Sequence, residues 1–286
     1  MSADNADQVA FWGGNAGEKW AAYQGQMDAQ LQPVLDGVLD RADLQAGQNV
    51  LDVGCGTGAS TLQAASMVAP GGHVLGADVS EPMLALAKTR GDGVSNAAFA
   101  EADVAVHDFK AGHFDRVISR FGVMFFADSV AAFANIAGAM KPGATLTFAS
   151  WGQIDRNPYF TVPAQAAKAL LGPMPKSDPD APGPFAFRDI DKVEGILRDA
   201  GFADVSGAAN DLVLSLPGGA SELAQLSCEI GSARARLTIS RATPPPQPGC
   251  RPTLPRSTRA SQTRPFQRKS TISRRPNPDP PGPFCP

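Results

Sequence analysis

The residues of this 286-residue chain best equipped for chemistry are three aspartates and a run of alternating glycines. Asp52-Val53-Gly54-Cys55-Gly56-Thr57-Gly58 sets a carboxylate just ahead of a tight turn. Glycines at such a turn let a ligand approach bare backbone N–H groups at a helix N-terminus. Asp78 follows Gly58 by twenty residues, a spacing at which an acid can accept hydrogen bonds from both ribose hydroxyls. Asp103 can accept from an exocyclic adenine amine, and the neighbouring N–H of Val104 can reach a ring nitrogen. A turn, a ribose acceptor and an adenine acceptor together describe an adenosine site.

These residues act together only if the fold brings them to one edge. Apolar residues at 27, 31, 34, 35, 38 and 39 have helical spacing. Asn49–Val53 reads as a buried strand and 58–69 as the helix that follows. His73–Ala77 is a second strand ending at Asp78. Ser80 can cap the next helix, with Pro82 in its first turn. Ala97–Ala102 is a third strand, ending at Asp103, and Phe114–Ser119 a fourth. A helix capped by Asp128 spans Ser129–Met140, and Lys141-Pro142-Gly143 turns into a fifth strand, Ala144–Ser150. Residues 152–187, rich in Pro and Gly, read as a lid or insertion; Arg188–Ala200 is a helix, and Phe202–Val205 starts a sixth strand. Strict alternation of strand and helix predicts an α/β fold with a doubly wound, mostly parallel, Rossmann-like sheet. In such a sheet ligands bind beyond the carboxyl ends of the strands, where all three aspartates fall.

The pattern G-x-G-x-x-G/A of dinucleotide sites is formally met, with Ala59 in its last place, but that match alone is weak. Asp52 would repel a pyrophosphate and welcome an amino-acid ammonium group. Asp103 adds a second acidic contact for a nucleoside lying across the sheet. S-adenosylmethionine has no phosphate and carries a cationic sulfonium, so an acidic pocket suits it better than NAD.

Val50-Leu51-Asp52-Val53-Gly54-Cys55-Gly56-Thr57-Gly58 resembles the first motif of class I S-adenosylmethionine-dependent methyltransferases, and Val74 to Leu84 resembles their second. Glu101-Ala102-Asp103, Phe114 to Ser119 and Met140-Lys141-Pro142-Gly143-Ala144 follow in the family's order, closest to the type-11 group that includes ubiquinone/menaquinone C-methyltransferases. The resemblance covers about residues 10–231. It implies that Gly54, Gly56 and Gly58 lie along the methionine moiety and that Asp52 orients the turn and the methionine amine. It places Asp78 on the ribose, Val79 and Met83 beside the adenine, Asp103 and Val104 on the adenine edge, and Ser119 on the floor near the sulfonium. Trp20 and Tyr23, within Phe11–Tyr23, match lids that cover the cofactor. The activity implied is transfer of a methyl group to a small organic acceptor.

Methyl transfer is an in-line displacement, so positioning and desolvation supply most of the catalysis. A general base is needed only if the acceptor must lose a proton. No motif assigns one: His107, His113, Asp128 and Tyr159 are the candidates, and the two histidines read as surface residues. Cys55 reads as a small filler of the loop. Phe121, Met124, Phe125 and Phe126 can pack the core or line an acceptor pocket, and Trp151, Tyr159 and Phe160 open the insertion.

The net charge of −3 conceals a division. Residues 232–286 hold eleven Arg or Lys against one acid, Asp279, leaving −13 for residues 1–231. The tail also carries 13 of the 25 prolines and too few Leu, Ile, Val or Phe to form a core. Three segments follow: a helical lid over 1–45, a cofactor-binding domain over 46–231, and a tail that reads as disordered or as the translation of a shifted frame. On that reading the sheet lacks its last antiparallel strand, leaving an exposed edge. A nucleic-acid methyltransferase using the basic tail, and a cofactor-binding protein without catalysis, are the alternatives. Four scattered cysteines without a CxxC pair suggest neither a disulfide framework nor zinc. No apolar run is long enough to span a bilayer and the N-terminus does not read as a signal peptide, so a cytoplasmic enzyme without metal is expected.

Overall fold

The structure is a computed structural model, and it describes residues 5–172, 178–216, 218–230, 262–263 and 265–271. The chain opens with three helices, α1 (Ala6–Gly13), α2 (Asn15–Ala22) and α3 (Gln24–Ala42). It then alternates through β1 (Asn49–Val53), α4 (Ala59–Val68), β2 (His73–Asp78), α5 (Glu81–Arg90), β3 (Ala97–Glu101) and β4 (Phe114–Arg120). There follow α6 (Ser129–Ala139), β5 (Met140–Trp151), α7 (Pro158–Leu171), α8 (Ile190–Asp199) and β6 (Ala203–Ala209). Beyond them come β7 (Leu212–Val213), α9 (Gly219–Glu229), β8 (Gln262–Thr263) and β9 (Pro265–Thr271).

Seven strands form one sheet in the order β3-β2-β1-β4-β5-β9-β6. All are parallel except β9, which runs antiparallel to both its neighbours. The direction of winding reverses between β1 and β4, the switch point beyond which ligands bind. Strand β1 is central: Val50 and Leu51 are fully buried, as a strand covered on both faces requires. Met27, Leu31, Val34, Leu35, Val38 and Leu39 of α3 are buried in one stripe, and the helix packs across β4 and β5. Phe133 of α6 anchors the other layer, with Phe148, Phe187 and Phe202 around it.

Strand β5 starts earlier than the turn at Lys141-Pro142-Gly143 predicts. Met140 already pairs with Phe114, the next pair is Thr145 with Arg116, and the turn survives between them as a bulge with Gly143 at φ +77°. The 152–187 segment contains α7, which opens on Pro158, where proline's missing N–H leaves no helical bond unmade.

The missing final strand is corrected. Residues 265–271 of the tail lie between β5 and β6, in register from Thr145 opposite Thr271 to Trp151 opposite Pro265. On the other side they pair with β6 from Ala203 to Ala209. Buried N–H and C=O groups along two such strands require partners, and an extended backbone of almost any composition provides them. Pro265 stands at the strand's first position, where a proline is tolerated. Residues 265–271 thus form strand β9; the remainder of the tail, with Cys250 and Cys285, lies outside the described residues apart from β8.

Candidate cofactor and acceptor site

The turn after β1 is built on three glycines with left-handed backbone: Gly54 (φ +68°), Gly56 (φ +54°) and Gly58 (φ +88°). A Cβ on Gly54 would lie 2.6 Å from Cα of Gly122, so the turns after β1 and β4 meet backbone to backbone. The N–H groups of Gly54 and Cys55 donate to the carbonyl of Ala77, at 2.9 and 3.2 Å, which binds the turn to β2. Cys55 is buried here as a filler, and burial pushes its thiol well above the usual range. The carbonyl of Thr57 accepts from Arg90 Nη1 at 2.7 Å.

Asp52 is fully buried beneath the turn. Its Oδ2 accepts from Ser60 Oγ at 2.6 Å and Thr61 Oγ1 at 2.7 Å, both at the start of α4, while its Oδ1 has no hydrogen-bond partner. Burial outweighs these two bonds and the nearby charge of Arg120, pushing the carboxyl up to about 6. Asp52 thus ties the end of β1 to the first turn of α4 through one oxygen and leaves the other unpaired.

Asp78 closes the other side of the turn. Its Oδ2 accepts from the N–H of Gly56 at 2.8 Å and its Oδ1 from the N–H of Ser80 at 2.9 Å. Burial raises its pKa, and these backbone bonds work against that rise. Each carboxylate oxygen retains a lone pair for a further donor. Met83 is buried in the first turns of α5, its sulfur 3.6 Å from where a Gly56 Cβ would stand, and Val79 is half-buried between Asp78 and Ser80. Asp103 accepts from the N–H of Ala105 at 3.0 Å and from Asn5 Nδ2 at 3.3 Å. Val104 is buried, with its carbonyl accepting from Asn135.

Two sequence readings are corrected here. Ser80 occupies the N-cap of α5 without a side-chain cap bond, because its hydroxyl donates to the carbonyl of Trp12 at 2.7 Å. That bond, the Asn5–Asp103 contact and Gly17, wedged against Ser80 and Pro82, lay α1 and α2 over the strand ends. Trp12 and Asn5, rather than Trp20 and Tyr23 alone, make the contacts, since Trp20 packs against Trp12 at 6.0 Å. Ser119 is fully buried, its hydroxyl donating to the carbonyl of Val53 at 2.7 Å and accepting from the N–H of Gly122 at 3.1 Å. It fastens the floor and does not present a free hydroxyl.

Beyond Ser119 stand three charged residues that no sequence motif marks. Arg90 Nη2 pairs with Asp28 Oδ2 at 2.8 Å, and Arg120 Nη2 lies 3.8 Å from Asp28 Oδ1. Arg120 Nη1 is buried without a hydrogen-bond partner. The three come from α3, α5 and β4, so no local motif joins them.

At the ends of β4 and β5 the surroundings turn aromatic. Phe121, in a left-handed conformation (φ +67°), stacks on Trp151 at 4.4 Å, and Trp151 stacks on Tyr159 at 5.5 Å. Phe125 meets Trp12 edge-on at 5.2 Å, whereas Met124 and Phe126 are core. Of the candidate bases, Asp128 caps α6 through the N–H of Ala131. His113 precedes β4, at the opposite end of that strand from Arg120, and His107 is exposed on the loop before it. Tyr159 alone stands with the aromatic stack, and burial pushes its phenol up to about 12.

Among the described residues no group of His, Cys, Asp and Glu is placed to hold a metal ion, and no helix is long and apolar enough to cross a membrane. Residues 50–143 match a family described as "Methyltransferase domain". The chain is similar to Nocamycin O-methyltransferase of Saccharothrix syringae, 31% identical over 197 residues, covering 65% of this chain and 70% of that protein. It is also 31% identical over 168 residues to Phosphoethanolamine N-methyltransferase 1 of Triticum aestivum, covering 58% of this chain but only 30% of that longer protein. Among solved structures, phosphoethanolamine N-methyltransferase 2 of Haemonchus contortus with S-adenosylhomocysteine shares the fold at TM-score 0.53 and 18% identity, over 84% of this chain and 52% of that one. With a parallel sheet wound about this switch point, a glycine turn flanked by acids and relatives of this kind, the chain belongs to the class I S-adenosylmethionine-dependent methyltransferases, in the type-11 group its motifs resemble.

Proposed function

We propose that Asp52, Gly54, Gly56 and Gly58 hold the methionine end of S-adenosylmethionine, Asp78 its ribose, and Val79, Met83, Asp103 and Val104 its adenine, over a floor fastened by Ser119. The observation that carries this reading is Asp78, which ties the glycine turn to the start of α5 through the N–H groups of Gly56 and Ser80. The residues fit that cofactor: Asp52 Oδ1 is a buried acceptor without a partner, suited to an ammonium group, and beside Gly56 the nearest side chain is Met83. When bound, S-adenosylmethionine supplies a methyl group on a sulfonium, open to in-line attack. Within residues 1–45 the cover consists of α1 and α2, because α3 is buried in the core. A cytoplasmic setting fits cysteines that show no pairing pattern.

The acceptor in this reading is a small organic molecule received against Phe121, Phe125, Trp151 and Tyr159. All three histidines lie elsewhere: His73 starts β2, His113 precedes β4, and His107 is exposed before it. A phenol held near 12 donates a hydrogen bond at neutral pH and does not abstract a proton. The site therefore suits acceptors whose nucleophile is present without enzymatic help, such as an acidic phenol, an enol or an amine. The relatives include proteins named for O- and N-methylation, which is compatible with such a range.

The test is a screen of phenols, enols and amines for release of S-adenosylhomocysteine, with kcat measured against pH at saturating cofactor. The rate should rise as pH passes through each acceptor's own pKa, so that the limb moves with the acceptor. A limb near pH 7 that stays fixed as the acceptor changes would reveal an enzymatic base and overturn this part of the reading.

A further inference from the structure

We propose that residues 262–271 of the tail complete the acceptor side of the site, with β8 and β9 fixing Trp151 and α7 in place for methyl transfer. This rests on the acceptor reading above and gives the tail a part in it. β9 runs antiparallel to β5 and so begins where β5 ends: Pro265 lies opposite Trp151, and the ladder continues to Thr271 opposite Thr145. Just before it, β8 pairs with β7 and lies against α7. The chain therefore passes from β8 into β9 beside the indole on which Phe121 stacks at 4.4 Å and Tyr159 at 5.5 Å. From the start of the same α7, Phe160 meets Trp151 edge-on at 4.8 Å. Trp151 and α7 are thus the two elements of the aromatic wall, and the tail touches both.

Residues 144–151 of β5 are all buried. Their backbone groups on the side away from β4 need partners that water cannot reach to supply, and β9 provides them. Among the described residues β9 is also the only strand that joins β6 to the sheet. The stretch Gln267-Arg268-Lys269-Ser270-Thr271 lacks the apolar run usual in a strand covered on both faces, so backbone pairing is what seats it. Without β9, β5 becomes an edge and Trp151 loses the pairing that fixes the end of its strand. The cofactor half has no such dependence. Gly54 and Cys55 donate to Ala77, and Asp78 accepts from Gly56, all within β1, β2 and the turn between them. Both β4 and β5 stand between β1 and β9. In-line transfer tolerates little displacement of the acceptor, so loosening this wall abolishes turnover before it disturbs cofactor binding.

The experiment places two substitutions in the full-length protein at Gln267, which stands mid-ladder opposite Ala149 and Ala208. Gln267→Pro removes a ladder N–H, whereas Gln267→Thr keeps it and suits a strand. With the acceptor turned over fastest in the screen above, Gln267→Pro should lower kcat/KM by roughly 100-fold, the scale of a small misplacement. Affinity for S-adenosylhomocysteine, measured by calorimetry, should stay within about two-fold, as expected of a distant site. Gln267→Thr should retain turnover. Hydrogen exchange in the proline variant should quicken in β5, β6 and α7 and stay unchanged in β1 and its glycine turn. Unchanged turnover, or losses shared equally by turnover and cofactor affinity, would overturn the assignment. Should the proline variant not fold, the wild type decides. Adding the same acceptor to protein saturated with S-adenosylhomocysteine should slow exchange at 262–271, and no slowing sinks the proposal. A wild type that binds S-adenosylhomocysteine but turns over none of the screened compounds would instead remove the underlying acceptor reading, and this proposal with it.

Discussion

The two halves of the sheet present different chemistry at the same edge. On the β3-β2-β1-β4 side, the strand ends carry Asp103, Asp78, Asp52 and Arg120, buried or half-buried around a left-handed glycine turn to which Asp78 is joined through the N–H of Gly56. On the β5 side, the edge carries Trp151, with Phe121 and Tyr159 stacked on it. Charge buried at a fixed turn is suited to a ligand of constant structure, because burying it is costly unless the partner arrives in register. Aromatic faces are less demanding of geometry and accept varied apolar molecules. On the proposed reading, one half serves a cofactor that does not change and the other acceptors that can.

This division can be broken most severely at Gly54. Gly54→Val would drive a side chain into the backbone of Gly122 from a backbone conformation that β-branched residues avoid. Calorimetry should show no binding of S-adenosylhomocysteine, and thermal unfolding should show a loss of several kcal/mol. Next in size is Asp78→Ala, which strands the N–H groups of Gly56 and Ser80 as well as removing the ribose acceptor of the proposed site. Affinity for S-adenosylhomocysteine should fall by about 100-fold, the scale of lost hydrogen bonds to a charged group, and each abandoned donor should lower stability by roughly 1–3 kcal/mol.

Asp52→Asn sharpens the comparison through opposite effects on stability and binding. Burial raises this carboxyl from 3.8 to about 6 in the folded protein, a difference equivalent to about 3 kcal/mol. The contribution of the neutral form to stability is complete below about pH 4 and is lost as pH rises through about 6. At pH 7.5 the asparagine variant, never charged, should therefore unfold at a higher temperature than the wild type. Its affinity for the cofactor should be lower by about ten-fold, the usual worth of one charged hydrogen bond. In the wild type, affinity should decline as pH drops below about 6, where Asp52 gains a proton, and in the variant this dependence should be absent. The smallest effect belongs to the other half. Tyr159→Phe should reduce acceptor turnover by a few-fold and leave S-adenosylhomocysteine affinity unchanged; a loss of cofactor affinity would dissolve the division between the halves.

What the sequence revealed follows from how local each signal is. Gly54 to Gly58 and the acids at strand ends are legible because a strand, a turn and a helix start within ten residues constrain residue type at each place. Asp28, Arg90 and Arg120 were illegible because their partnership forms between α3, α5 and β4, with spacings that carry no period. Ser80 was misread for a related reason: a cap bond is local, but the carbonyl of Trp12, brought by the lid, competes for the same hydroxyl. The final strand escaped notice because β9 is specified by the gap between β5 and β6 more than by its own composition.

The central claim is that the acidic turn half is shaped for S-adenosylmethionine and not for a dinucleotide. Calorimetric titration of the full-length protein at pH 7.5 with S-adenosylhomocysteine and, separately, with NADH tests it most directly. Binding of S-adenosylhomocysteine without binding of NADH is the expected result. Binding of NADH alone would contradict the account.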